Sequence, residues 1–120
     1  MLKYIFVVVL AVGLVWGFSH ISMSREANLT THTVVTCTNT TGELLAANAG
    51  RIAALIVNDA TSSVYIKIGV DAVASEGIRL NANGGSYFIS NGSDNLDTEV
   101  INCITASASN VVTVTEWSTE

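Results

Sequence analysis

Oxygen-bearing side chains crowd one polar stretch of the chain, which contains Asp94, Asn95, Asp97 and Glu99. Calcium in proteins is bound by such carboxylate and amide oxygens on loops, so this stretch is a candidate calcium site. Its spacing departs from the helix-loop-helix calcium motif, because the central glycine and the terminal glutamate of that motif are missing. A solvated acidic loop is the simpler interpretation. We therefore expect no metal site and no cofactor, with Asp94, Asp97 and Glu99 as a weak calcium candidate.

Two cysteines, Cys37 and Cys103, lie far apart in the chain. In an exported protein a disulfide between them is expected, although each residue can equally be a small buried hydrophobic side chain. A zinc site on this pair needs further soft ligands, and His32 is the only histidine downstream of residue 25. We predict a disulfide between Cys37 and Cys103 and no zinc.

Serine, histidine and aspartate are all present, but no motif arranges them for catalysis. The chain has neither a Gly-x-Ser-x-Gly turn for a nucleophilic serine nor a His-Glu-x-x-His pair for zinc. Gly84 and Gly85 precede a strand-like stretch rather than a helix, which favours a tight turn over a phosphate-binding loop. We expect no catalytic residues and no enzyme activity.

The chain downstream of Arg25 is acidic. Without Lys3 and Arg25, three of the five basic residues remain against ten acidic ones, which gives this part a formal net charge of −7. Such a surface repels phosphate backbones, which disfavours nucleic-acid binding, and we expect no nucleic acid among the partners. About 95 residues suffice for one domain with a modest core.

The chain begins with an uncharged apolar run from Tyr4 to Phe18. One interpretation is a cleaved secretory signal, since Gly17-Phe18-Ser19 matches a small-x-small cleavage site, although Trp16 and Phe18 are bulky. The other is a transmembrane helix, which needs about 20 residues and reaches that length if the helix continues through Met23.

Both interpretations carry the rest of the chain across a membrane, and Lys3 favours a cytoplasmic N-terminus. We expect residues 1–25 to be retained as a single transmembrane helix. The soluble domain, residues 26–120, would then lie on the non-cytoplasmic side of a virion membrane or host cell membrane.

Residues 26–120 show the period-two pattern of β-strands. Between Ser63 and Gly69, for example, Val64, Ile66 and Ile68 point to one face, and Tyr65 and Lys67 to the other. His32 falls in a threonine-rich lead-in that we predict to be a solvated linker. The turn signal at 83–85 predicts a hairpin between 77–80 and 86–89. Seven or eight such short strands predict an all-β fold, an antiparallel, jelly-roll-like β-sandwich behind one N-terminal hydrophobic helix.

The sequence resembles a small all-β module of bacteriophage virion structural proteins. The resemblance rests on Leu-Leu-Ala-Ala-Asn-x-x-Arg (44–51), Ala-Leu-Ile-Val-Asn (54–58), Val-Tyr-Ile-x-x-Gly (64–69), Gly-Ile-x-Leu-x-Ala-x-Gly-Gly-Ser (77–86) and Ile-Thr-Ala-Ser…Val-x-Val-x-Glu (104–116). It implies a structural role on a particle, with repeated copies in contact through loops and sheet edges. Because such modules usually lack a membrane segment, the apolar N-terminus indicates a particle that contains a lipid bilayer.

We therefore expect a non-enzymatic virion protein that anchors in the bilayer and packs against capsid, another virion protein or copies of itself. Tyr65, Tyr87 and Trp117 are the candidate interface residues. The alternative is a secreted or surface-tethered bacterial binding module of the adhesin or carbohydrate-binding type. A type IV pilin is disfavoured, because the expected glycine does not precede the apolar run and no glutamate lies inside it.

Overall fold

The computed structural model describes residues 26–107 and 109–119, which form eight strands and one short 3-10 turn. The elements are β1 (Leu29–Cys37), β2 (Gly42–Leu45), β3 (Arg51–Asn58), β4 (Val64–Ile68), β5 (Ile78–Leu80), β6 (Gly85–Ser90), the 3-10 turn (Asn91–Ser93), β7 (Ile101–Thr105) and β8 (Asn110–Ser118). The predicted transmembrane helix, residues 1–25, lies outside the described residues. Within the described ranges, no helix is both long and apolar enough to cross a membrane.

Two four-stranded antiparallel sheets make up the fold. Sheet A has the order β1-β8-β3-β6 and sheet B the order β2-β7-β4-β5. Every connection except that between β4 and β5 passes from one sheet to the other, and this interleaved order of eight strands is that of a jelly roll. The predicted antiparallel β-sandwich is therefore confirmed.

The core lies between the two sheets and follows the alternation expected of strands. In sheet A, Ile56 pairs with Val114 and both side chains are fully buried. In sheet B, Val64 and Ile66 are fully buried on the inner face of β4, as the sequence predicts. Burial of one such aliphatic side chain contributes roughly 1.5–3 kcal/mol to folding.

The predicted hairpin between β5 and β6 is wrong. β5 pairs with β4, and β6 pairs with β3 in the other sheet, so the intervening turn carries the chain across the sandwich. The turn itself forms, with Asn83 and Gly84 at positive φ of 58° and 101°. A Cβ on Gly85 would lie 2.3 Å from the backbone nitrogen and oxygen of Asn81, which explains the second glycine. Local sequence does not distinguish such a crossover from a hairpin.

Strand β1 is longer than the sequence predicts, and His32 lies within it rather than in a linker. The strand pairs with β8 in unbroken register, from Leu29 opposite Ser118 to Cys37 opposite Asn110. The β-branched residues of the threonine-rich lead-in suit a strand. The nine residues of β8 supply a partner along its full length.

Candidate functional site

A disulfide joins the two sheets near one end of the sandwich. Cys37 closes β1 in sheet A and Cys103 lies in the middle of β7 in sheet B, with their Cα atoms 5.8 Å apart. Both residues are buried. The predicted disulfide is therefore present, and it closes a covalent loop between positions separated by 66 residues.

At the opposite end of the sandwich, the guanidinium of Arg51 is buried and organises the surrounding loops. Its Nε lies 2.7 Å from Glu116 Oε1 on β8. Its Nη1 donates to the carbonyl oxygens of Asp97 (2.8 Å) and Glu99 (3.0 Å), and its Nη2 donates to the Ala46 carbonyl oxygen at 2.5 Å. One side chain thus fixes the β2–β3 loop and the β6–β7 loop to sheet A.

The acidic stretch that was the calcium candidate contacts Arg51 through its backbone, since the carbonyl oxygens of Asp97 and Glu99 accept hydrogen bonds from the guanidinium. The Asp97 carboxylate accepts a hydrogen bond from the Glu99 amide at 2.9 Å, which shapes the loop around Arg51. No group of three or more His, Cys, Asp or Glu residues that could hold a metal ion occurs in residues 26–107 and 109–119. The structure thus does not gather Asp94, Asp97 and Glu99 into a calcium site.

Sequence reasoning missed the pair Arg51 and Glu116, although a signal was present. Arg51 opens a strand that is otherwise almost entirely apolar. Glu116 continues the inward positions of Val112 and Val114 along β8, so strand alternation places its carboxylate inside the sandwich. Two opposite charges on inward positions predict a buried ion pair.

Asn58 plays a comparable part at the disulfide end. Its Nδ2 donates to the carbonyl oxygens of Ser62 (2.9 Å), Leu80 (3.1 Å) and Asn81 (3.0 Å), and its Oδ1 accepts from the Ala60 amide. Across the described part of the chain, no buried side-chain nitrogen or oxygen is without a hydrogen-bond partner. The buried polar groups are therefore used to hold loops in place.

The outer faces of the two sheets differ in charge. Sheet B carries Glu43, Lys67 and Arg79 outward, and Lys67 Nζ lies 2.7 Å from Glu76 Oε2. The outer face of sheet A is named here face A, and none of its strand residues is Asp, Glu, Lys or Arg. One carboxylate lies at its rim, where Thr113 Oγ1 donates to Asp59 Oδ2 at 3.1 Å. Strand alternation places on face A Thr30, His32, Val34, Thr36, Ala53, Leu55, Val57, Ser86, Phe88, Ser90, Val111, Thr113, Thr115 and Trp117.

Half of the residues on face A are apolar, and three of these are exposed large side chains. Val34 is 69% exposed, Phe88 47% and Val111 43%. The rings of Phe88 and Trp117 meet edge to face, with centroids 6.4 Å apart and planes at 77°. His32 Nδ1 lies 3.0 Å from Thr115 Oγ1, which confirms that neighbouring strands turn these side chains to the same side. A partly apolar sheet face whose strand residues carry no charge, on an acidic domain, is the feature most suited to a binding role.

The three predicted interface residues do not share one surface. Trp117 lies on face A, on a strand that is central in sheet A rather than at its edge. Tyr65 lies on the outer face of sheet B, opposite Arg79 in β5. Tyr87 packs against the hydrophobic core, so the candidate surface does not use it.

Comparison with known proteins identifies no family and one structural similarity. No family model matches the chain, and no curated protein matches its sequence. A solved structure from Bacillus, described as "Bacillus endospore appendages form a novel family of disulfide-linked pili", is similar at 13% identity and a TM-score of 0.47, over 86% of this chain and 98% of that chain. A likeness at this level does not bear on what this chain binds or does.

Proposed function

We propose that this chain is a non-enzymatic structural protein that assembles through its jelly-roll domain. The observation that carries the proposal is face A, which is partly apolar and has no charged strand residue, on a domain whose formal charge is −7. Like-charged copies repel one another over most of their surface, and a face without charged strand residues lowers that penalty. Monomeric soluble proteins rarely leave a large apolar patch open to water.

The finer form of the proposal is a virion protein of a particle that contains a membrane. Residues 1–25 would hold the bilayer, while the domain packs against capsid, another virion protein or further copies. Two things support it: the resemblance to bacteriophage virion modules, and the use of jelly rolls in viral capsids. Because folds host many functions, this support is by analogy.

A secreted or surface-tethered binding module is the second candidate, and the exposed ring of Phe88 beside Trp117 favours it. Aromatic side chains offer flat apolar area for a ligand, and jelly rolls also occur among lectins. A ligand-binding role and an assembly role use the same face, so one set of substitutions tests both.

The first test adds a charge to face A. Phe88→Glu should lower the assembled fraction of the full-length chain roughly tenfold or more, because a desolvated carboxylate replaces an apolar contact. Val70→Glu is the matched control, since Val70 is 58% exposed and lies in the β4–β5 loop. Assembly is measured as sedimentation of the chain in producing cells or particles, with the unfolding midpoint measured alongside.

Two results would contradict the assembly proposal. In one, Phe88→Glu and Val70→Glu assemble like the unmodified chain. In the other, the unmodified chain is monomeric in detergent and in cross-linked particles. If Phe88→Glu abolishes binding to a glycan array instead, the binding module becomes the better account.

The second test concerns membrane anchoring. We expect residues 1–25 to be retained and the chain to be extracted from membranes only by detergent. Val9→Arg should impair insertion by about 2.5–3.5 kcal/mol, because an arginine enters the middle of the apolar run. Val73→Arg, exposed in the β4–β5 loop, is the control outside the run. A mature N-terminus near His20, found by intact mass measurement, would show instead that the segment is a cleaved signal.

A further inference from the structure

The two sheets have four edge strands. Two of them, β2 and β5, are protected from pairing with another strand by their length and sequence. Edge strands expose unpaired backbone groups, which proteins protect with short strands, bulges and charges. β2 has four residues and a register shift between Glu43 and Leu45. β5 has three residues, and its middle residue is Arg79. Both edges of sheet B are therefore protected.

In sheet A, the edge strand β6 is covered by a side chain. Asn95 Nδ2 donates to the Phe88 carbonyl oxygen at 2.9 Å, and the Ser90 amide donates to Asn95 Oδ1 at 3.0 Å. The side-chain amide of Asn95 thus occupies the backbone positions that an added strand would use.

Within the part of the chain that the structure describes, the remaining edge, β1, has none of these protections. It has nine residues, no charged residue, no proline and no register shift against β8. His32 in this strand bonds to Thr115, its neighbour on β8, across face A and not at the open edge. Thr31 and Thr33 are exposed even though they point inward, because β2 in the facing sheet is too short to cover them.

We propose that β1 pairs antiparallel with β1 of a second copy. A two-fold axis relates the two copies, and their two four-stranded sheets form one continuous eight-stranded sheet. This inference rests on the proposed assembly function and adds a second contact, at the edge of sheet A, to the one proposed for face A. A second copy fits because a two-fold contact satisfies both open edges with the same surface. Two β1 strands match in length, and neither brings charge to the pairing, whereas the rest of the domain is acidic.

The arrangement has a structural consequence for face A. The two-fold axis of an antiparallel strand pair is perpendicular to the sheet, so both copies turn face A to the same side. At about 4.8 Å per strand, the joined surface is about 38 Å wide. The two Leu29 ends then lie about 27 Å apart, at about 3.3 Å per residue along the strand pair.

Cysteine cross-linking of the full-length chain tests the pairing. In the central register, Thr33 lies opposite its own copy, at the Cα separation of about 4.5–5.5 Å that a disulfide accepts. Thr33→Cys should therefore give a reducible dimer as the main product under mild oxidation, and Thr31→Cys should cross-link to Val35→Cys in a mixture. Val73→Cys, exposed in the β4–β5 loop away from face A and β1, is the control and should give only a trace.

A charge swap makes the test independent of cross-linking. Thr33→Lys alone should lose the dimer in native mass spectrometry from detergent, and a mixture of Thr33→Lys with Thr33→Glu should restore it. If the unmodified chain assembles but the β1 cysteines give no dimer and Thr33→Lys leaves its mass unchanged, the β1 contact is wrong while assembly through face A stands. If the unmodified chain is monomeric throughout, both proposals fail.

Discussion

Replacing Cys37 and Cys103 together by alanine should lower the free energy of unfolding by about 4 kcal/mol in the chain-entropy model. The disulfide closes a loop between residues separated by 66 positions, so its loss restores much conformational freedom to the unfolded chain. A domain of this size is stable by about 5–15 kcal/mol, so a change of this magnitude removes a large part of its stability. Alanine is preferred to serine because it adds no buried hydroxyl.

Urea unfolding of the double variant and of the reduced, unmodified chain measures this effect by two routes. The two should agree, because both remove the same covalent link. The bond holds the only buried end of β1 to sheet B, so in a dilute, monomeric sample hydrogen exchange should show β1 opening first. If the double variant and the reduced chain both unfold within about 1 kcal/mol of the oxidised chain, the cross-link is not a main source of stability.

The sequence predicts those features of the fold that depend on residues close together in the chain. Alternation along Val64–Ile68 is a local signal, and the observed burial of β4 agrees with it. The number of strands and the sandwich class follow from the same signal repeated along the chain. Strand pairing is not a local property. The turn at Asn83 and Gly84 is correctly placed, but β5 buries Leu80 from sheet B and β6 buries Ile89 from sheet A, so the two strands pair with different partners.

The candidate surface shows the same division. Trp117 is identifiable as an outward residue from its alternation with Val114 and Glu116 on β8. That β8 is central in sheet A, and that the strand residues of face A carry no charge, emerges only once four strands far apart in sequence lie side by side. The cover of Asn95 over β6 depends on the path of the β6–β7 loop, which local sequence does not specify.

The second large effect is expected at Arg51. Arg51→Met should lower the free energy of unfolding by about 3–5 kcal/mol, because it leaves the Glu116 carboxylate unpaired beside the core. It also removes the hydrogen bonds to the Ala46, Asp97 and Glu99 carbonyl oxygens, which belong to two separate loops. Limited proteolysis should therefore cut the β2–β3 and β6–β7 loops more readily. Arg79→Met, at an exposed arginine, is the matched control and should unfold like the unmodified chain.

A double-mutant cycle separates the ion pair from the carbonyl contacts. Replacing a buried ion pair by two apolar residues is often neutral, so Arg51→Met combined with Glu116→Met should recover the part of the loss that is due to the unpaired carboxylate. Here the recovery of the unfolding free energy should be incomplete. The double variant still lacks the guanidinium that donates to three loop carbonyl oxygens in the unmodified chain. Full recovery of the unfolding free energy and of protease resistance would mean that the loops are held by other contacts, and that Arg51 stabilises the domain only through its pairing with Glu116.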